Sequence, residues 1–177
     1  MTTARDQGTQ EQHRLRCPLN DQMLYSPILL ALRDLRTANG RDPETGDGRA
    51  NESWIALSVG MVVLDSLTPS DQQVGERWVE LLTVHEIDAD DALIVYAIRN
   101  ALLHGYGIPK PEKALGRRVI MTPDPLAPAL DTDTLGVARL SVPVFCSHLV
   151  ERIALQGRSR WDTSMIWTGA PLDWTGD

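Results

Sequence analysis

Between Asp91 and Arg99 the chain runs through Ala92, Leu93, Ile94, Val95, Tyr96, Ala97 and Ile98, with no charged or strongly polar residue among them. As a helix such a run has no side to offer to water, so it belongs inside the protein. The run closes in Arg99-Asn100-Ala101-Leu102-Leu103-His104-Gly105. Three polar side chains therefore stand at the inner end of a core helix, where an unpaired hydrogen-bonding group is costly. The sequence predicts that something compensates them: a protein partner, a second subunit or a substrate.

The rest of the chain fits a helical surrounding. Leu, Ile, Val and Ala dominate the apolar set, aromatics make up 5%, and phenylalanine occurs once in 177 residues. That length suits about one domain, able to bury about 70% of its unfolded surface. The net charge of 17 − 24 = −7 gives no global field to attract nucleic acid. Cys17 and Cys146 form no CxxC pair, so neither a disulfide framework nor a zinc knuckle follows. The first residues lack a secretory apolar region, and no apolar run approaches the ~20 residues of a membrane span. The expectation is a cytoplasmic protein that is not embedded in a membrane.

Turn chemistry and periodicity divide the chain. Residues 1–20 are polar and are expected to be a mobile arm. A first helix is expected over about 22–37, with Ser26-Pro27 as its cap and first turn. After an Asn/Gly/Asp-rich loop, a second helix over about 51–67 carries Trp54, Leu57, Met61 and Leu64 at helical spacing. Ser70 and Gln73 match a capping box for a third helix to about His85, with Val74, Trp78 and Leu81 on one face. Asp88, Asp90 and Asp91 crowd the start of the fourth helix, where the dipole favours negative charge; a metal site is the sharper alternative. Gly105 is expected to end that helix as a left-handed cap.

Beyond it, Arg117–Met121 and Val137–Ser141 read as the two strands of a small β-hairpin. A fifth helix runs from Pro143 to about Gly157, and 158–177 form a tail holding Trp161, Trp167 and Trp174. The expected fold is thus mostly α. It is an up-and-down bundle of four to five helices over 21–157, with a hairpin between the fourth and fifth helices.

At about 100° per residue, Asn100 and His104 share one helix face some 40° apart, while Arg99 must swing its long side chain round the helix end. Together they supply an imidazole that exchanges a proton near neutral pH, a planar cation matched to phosphate and an orienting amide. This is a minimal kit for cleaving an RNA phosphodiester without metal or other cofactor. His104 would assist attack by the ribose 2′-hydroxyl or protonate the leaving oxygen, and Arg99 would stabilise the charge on the phosphorus oxygens.

Arg99-Asn100-x-x-x-His104 on a helix of a compact bundle resembles the signature of the HEPN superfamily. The resemblance covers about 22–157 and leaves the hairpin and the Trp-containing tail outside the common core. It implies a metal-independent endoribonuclease with Arg99, Asn100 and His104 at its centre. It also implies a homodimer that brings two motifs into one cleft, because one histidine supplies only one of two proton transfers. A toxin or defence role, with an antitoxin or other protein partner, goes with that reading.

Lys110, Lys113, Arg117 and Arg118 against Glu112 give 105–122 a local charge of 4 − 1 = +3, a basic rim suited to a phosphate backbone. Tyr106 could stack a base or pack the turn. The competing readings are a non-catalytic dimerisation or nucleotide-binding module, and a helical scaffold in which Arg99 pairs with an acid such as Glu80 or Glu86. Cys146 and His148 would point about 160° apart on a helix and make a poor nucleophile–base pair.

Overall fold

The computed structural model describes residues 14–16, 23–25, 27–40, 52–68, 73–133 and 135–157. Among them the fold is mostly helical. Its elements are β1 (Arg14–Arg16), β2 (Met23–Tyr25), α1 (Pro27–Asn39), α2 (Glu52–Leu67), α3 (Val74–Val84) and α4 (Ala89–Gly105). A short 3-10 turn at Pro111–Lys113 leads to β3 (Arg118–Thr122), β4 (Leu130–Thr132) and β5 (Val137–Ser141). The last helix, α5, runs through Val142–Val144, a π-wound stretch Phe145–Val150 and Glu151–Gln156.

Each helix buries the face its apolar spacing dictates. Pro27 opens α1, where its missing N–H costs nothing, and Ile28, Leu32 and Leu35 point inward at helical spacing. In α2 the buried set is Ala56, Leu57, Met61, Val63, Leu64 and Leu67. Gly60 faces two neighbouring helices: a Cβ there would lie 3.3 Å from Val150 Cγ2, a tight contact, and 3.5 Å from Leu35 Cδ1, an ordinary one. The Arg36 guanidinium donates to both carboxylate oxygens of Glu151 at 2.8 and 2.9 Å, tying α1 to α5. Trp78, Leu81 and Leu82 are the buried face of α3, and Gly75 lies against the ring of Tyr96 on α4.

The acids at the start of α4 have structural partners. The Asp88 side chain accepts from the Asp90 N–H at 2.8 Å and caps the helix. Burial lifts the Asp91 carboxyl above its ordinary range, opposed by a hydrogen bond from Thr132 on β4 and raised further by the charge of Asp88.

The small sheet has the order β3-β5-β4. β3 and β5 lie parallel, with Arg118 opposite Val137 and Thr122 opposite Ser141, whereas β4 and β5 are antiparallel, with Leu130 opposite Leu140. Val119, Ala138 and Leu140 turn into the core. Asp133 sets the β4–β5 turn. Its carboxylate accepts from the Leu135 and Val137 N–H groups at 2.9 and 3.0 Å, and from Arg139 at 2.7 Å.

Several local expectations are corrected. The two strand-like runs do pair, but side by side in the same direction. The hairpin is made by β4 and β5, because the connection between the runs contains a strand of its own. The first helix starts at Pro27, and 23–25 pair as a strand with 14–16, inside the stretch expected to be an arm. α3 starts at Val74, and Gln73 at its N-cap makes no side-chain cap bond; Ser70 lies outside the described residues. The left-handed residue after α4 is Tyr106 (φ 48°, ψ 46°), not Gly105. The arm's Cys17, and Trp161, Trp167 and Trp174 of the tail, lie outside the described residues.

Candidate functional site at the end of the fourth helix

The apolar run of α4 is buried along Ala92, Ile94, Val95, Ala97 and Ile98. One side is open, however, for Leu93 is exposed and Tyr96 is half-buried. The polar end follows the same division. Arg99 has only 12% of its side chain exposed, Asn100 is half-buried and His104 is exposed.

Arg99 does swing round to its neighbours. Its Nη1 donates to Asn100 Oδ1 at 2.9 Å and lies 3.4 Å from His104 Nε2. For that longer contact to be a hydrogen bond, Nε2 must present its lone pair, which puts the ring proton on Nδ1. The other arm of the guanidinium is engaged by a residue the sequence reading did not single out. Nη2 donates to Asp65 Oδ2 at 2.5 Å, and Asp65 Oδ1 accepts from the Trp78 indole N–H at 2.7 Å. Thus a carboxylate from α2, an indole from α3 and a guanidinium from α4 form one chain of hydrogen bonds, ending at an exposed imidazole. The acid that meets Arg99 is neither Glu80 nor Glu86. Arg99 Nε is buried without a hydrogen-bond partner among the described residues. The signal for Asp65 was its isolation: it follows Met61-Val62-Val63-Leu64, and an acid in so apolar a stretch implies a partner.

The helix end itself closes on a left-handed cap at Tyr106. The Gly107 N–H reaches Ala101 O at 3.1 Å and the Tyr106 N–H reaches Leu102 O at 2.9 Å. Tyr106 takes the left-handed conformation although it has a Cβ, which costs about 1–2 kcal/mol. Its ring lies 5.5 Å from that of Trp54, a contact of the kind that offsets part of this cost. More than half of Tyr106 remains exposed, two positions from His104.

The basic rim divides into two pairs. Lys110 and Lys113 overhang an open cavity of about 620 Å³ along α4, whose wall includes Tyr96, Ala97 and Asn100. Arg117 turns instead to the sheet, donating to the carbonyl of Asp133 at 2.6 Å, and Arg118 is exposed at the start of β3. Lys110, Lys113 and Asn100 therefore meet at one cavity; Arg117 holds structure.

The remaining chemistry-bearing residues lie elsewhere. His85 ends α3, and its carbonyl accepts from Arg152 at 3.1 Å. The Cys146 thiol is buried, and that burial, with the Glu151 charge, pushes it up to about 12. His148 is exposed, so the two share no site. Among the described residues no group of three or more His, Cys, Asp or Glu is placed to hold a metal ion. Nor is any helix among the described residues long and apolar enough to cross a membrane.

Comparison with protein-family models, curated proteins and solved structures finds no match to this chain.

Proposed function

We propose that the protein is a metal-independent endoribonuclease of the HEPN type, built as an up-and-down bundle that acts as a homodimer. The observation that carries this reading is the convergence of Arg99 Nη1, Asn100 Oδ1 and an exposed His104 at one helix end. In this reading the substrate displaces the long Arg99 contact, and the freed Nε2 of His104 takes the proton of the ribose 2′-hydroxyl as that oxygen attacks phosphorus. The P–O5′ bond breaks, leaving a 2′,3′-cyclic phosphate, and the leaving oxygen takes its proton from the second copy's histidine. Arg99 meets the charge that builds on the non-bridging oxygens, and Asn100 holds the guanidinium at the edge that faces the substrate. Tyr106 and the lysines line the strand's approach. A toxin or defence role with a cognate protein partner, in the cytoplasm, belongs to the same proposal.

The test is a single substitution. His104→Ala abolishes cleavage of RNA in excess chelator while thermal unfolding and oligomeric state stay those of the parent. A purified variant that cuts as fast as the parent ends this reading.

The Arg99–Asp65 pair favours a second reading, because it already neutralises the cation inside its own subunit. In that case the bundle is a non-catalytic dimerisation or nucleotide-binding module acting through a partner protein. No cleavage, combined with a rise in Tm on adding nucleotide, selects it.

A further inference from the structure

The cavity beside the motif has an unusual wall for an open surface. Leu93, Ile108 and Leu115 leave 39%, 46% and 49% of their area exposed around it, although each is a large aliphatic side chain. Such apolar area at a concave site is what a flat, poorly hydrated ring would cover. The volume of about 620 Å³ falls within the range of sites for small organic ligands.

The polar groups at this wall are one-sided. Asn100 lines the cavity, and its Oδ1 is already taken by Arg99. With Oδ1 engaged by Arg99, Nδ2 is the amide atom that has no partner among the described residues, and it is the donor this wall has to offer. Lys110 and Lys113 carry the other two polar heads, and neither is in an ion pair among the described residues. Glu112, between them in sequence, is the one acid of 105–122. Amide N–H and ammonium groups donate and cannot accept, so the matching ring edge presents acceptors. An attached anion would sit toward the lysines.

We infer that this cavity is a base-selecting pocket for a nucleotide with a keto-type base, uracil or guanine, seated with its carbonyl edge on Asn100 Nδ2. The pocket deepens the proposed reading and rests on it for the identity of the ligand. Asn100 is its hinge: one end of its amide orients Arg99, and the other reads the base next to the phosphate that Arg99 meets. Where uracil and guanine place O4 or O6, cytosine and adenine place an exocyclic amine, so seated in the same way they set a donor against the Asn100 donor. The ligand is the same chemistry whether it arrives as a free mononucleotide or within an RNA strand.

The experiment is calorimetric titration of the full chain carrying His104→Ala, so that nothing turns over. The ligands are the 3′-monophosphates of uridine, guanosine, adenosine and cytidine, and ribose 5-phosphate. The keto nucleotides are expected to bind at least tenfold more tightly than the amino nucleotides and than ribose 5-phosphate. Ala101→Phe, which fills the cavity, and Lys113→Gln, which lies at the surface and leaves the core intact, should each weaken uridylate binding tenfold or more. Equal binding of all five ligands, no binding of any nucleotide, or uridylate affinity unchanged in both variants overturns the pocket. The two failures are separable. Uridylate binding without RNA cleavage by the parent keeps the pocket and removes the nuclease. RNA cut by the parent without base preference, and equally fast by both variants, removes the pocket and keeps the nuclease.

Discussion

Arg99 and Asp65 meet across 34 residues of sequence, Nη2 to Oδ2 at 2.5 Å, joining α4 to α2 at the point where the core gives way to solvent. With the arginine 12% and the acid 32% exposed, the pair is partly dry. Removing the acid strands a cation that already has one buried nitrogen unpaired. Asp65→Ala is therefore expected to cost about 1–3 kcal/mol, less than a fully buried pair because water reaches the carboxylate. Urea denaturation measures it. Under the proposed endoribonuclease reading the same variant slows RNA cleavage, since the guanidinium loses the contact that aims its other arm.

Trp78 and Asp65 should behave as one unit. Trp78→Phe loses the indole donor to Asp65 Oδ1 along with core volume, and is expected to destabilise by about 1–3 kcal/mol. Combined with Asp65→Ala, the hydrogen-bond part of that cost has already gone. A double-mutant cycle is expected to show a coupling of at least about 0.5 kcal/mol. Additive losses would mean that the bond contributes nothing to stability.

His104 is exposed and, among the described residues, makes only the long contact to Arg99. His104→Ala should thus change stability by no more than about 0.5 kcal/mol. Loss of cleavage without loss of stability, read on the same preparation, separates a reacting group from a helix cap.

The Cys146 thiol, pushed up to about 12 by burial and then by the Glu151 charge, is almost wholly protonated at pH 8. Because the thiolate is the reacting form, iodoacetamide should label this residue on the order of 100-fold more slowly in the folded protein than in urea. Mass mapping of the peptide around Cys146 reads the two rates.

Asp133 carries a pH dependence of known sign. Arg139 foremost, then the Val137 N–H, hold its carboxyl below the ordinary value of 3.8. A carboxyl depressed in the folded state stabilises above its unfolded value and loses that contribution as the pH falls below 3.8 toward the folded value. Asp133→Asn should lower the urea midpoint at pH 7 and flatten its fall on acidification. Parallel curves for parent and variant would refute the assignment.

How much of this was legible depended on how local the signal is. The Asp88 cap at the start of α4 follows from spacing along one helix and appears as read, whereas the apolar run is buried except on the side of Leu93 and Tyr96. Asp65 did not, because pairing between α2 and α4 is set by tertiary packing and leaves only a lone acid in an apolar stretch as its trace. The parallel partnership of β3 and β5 is equally non-local. A short third strand hidden in a Pro/Asp/Thr-rich segment converts an apparent hairpin into a mixed sheet. Tyr106 adopts the left-handed turn where Gly105 was the natural choice, with the ring of Trp54 close by to hold it there.

Gly60 has a consequence for the whole bundle. A methyl group at that position would lie 3.3 Å from Val150 Cγ2, which must yield by a few tenths of an ångström, and in ordinary contact with Leu35 Cδ1 at 3.5 Å. Alanine would gain about 1 kcal/mol of helix propensity, set against the small shift asked of the Val150 side chain. The bare backbone there thus leaves room for both neighbours against the same helix that carries Asp65 to the arginine.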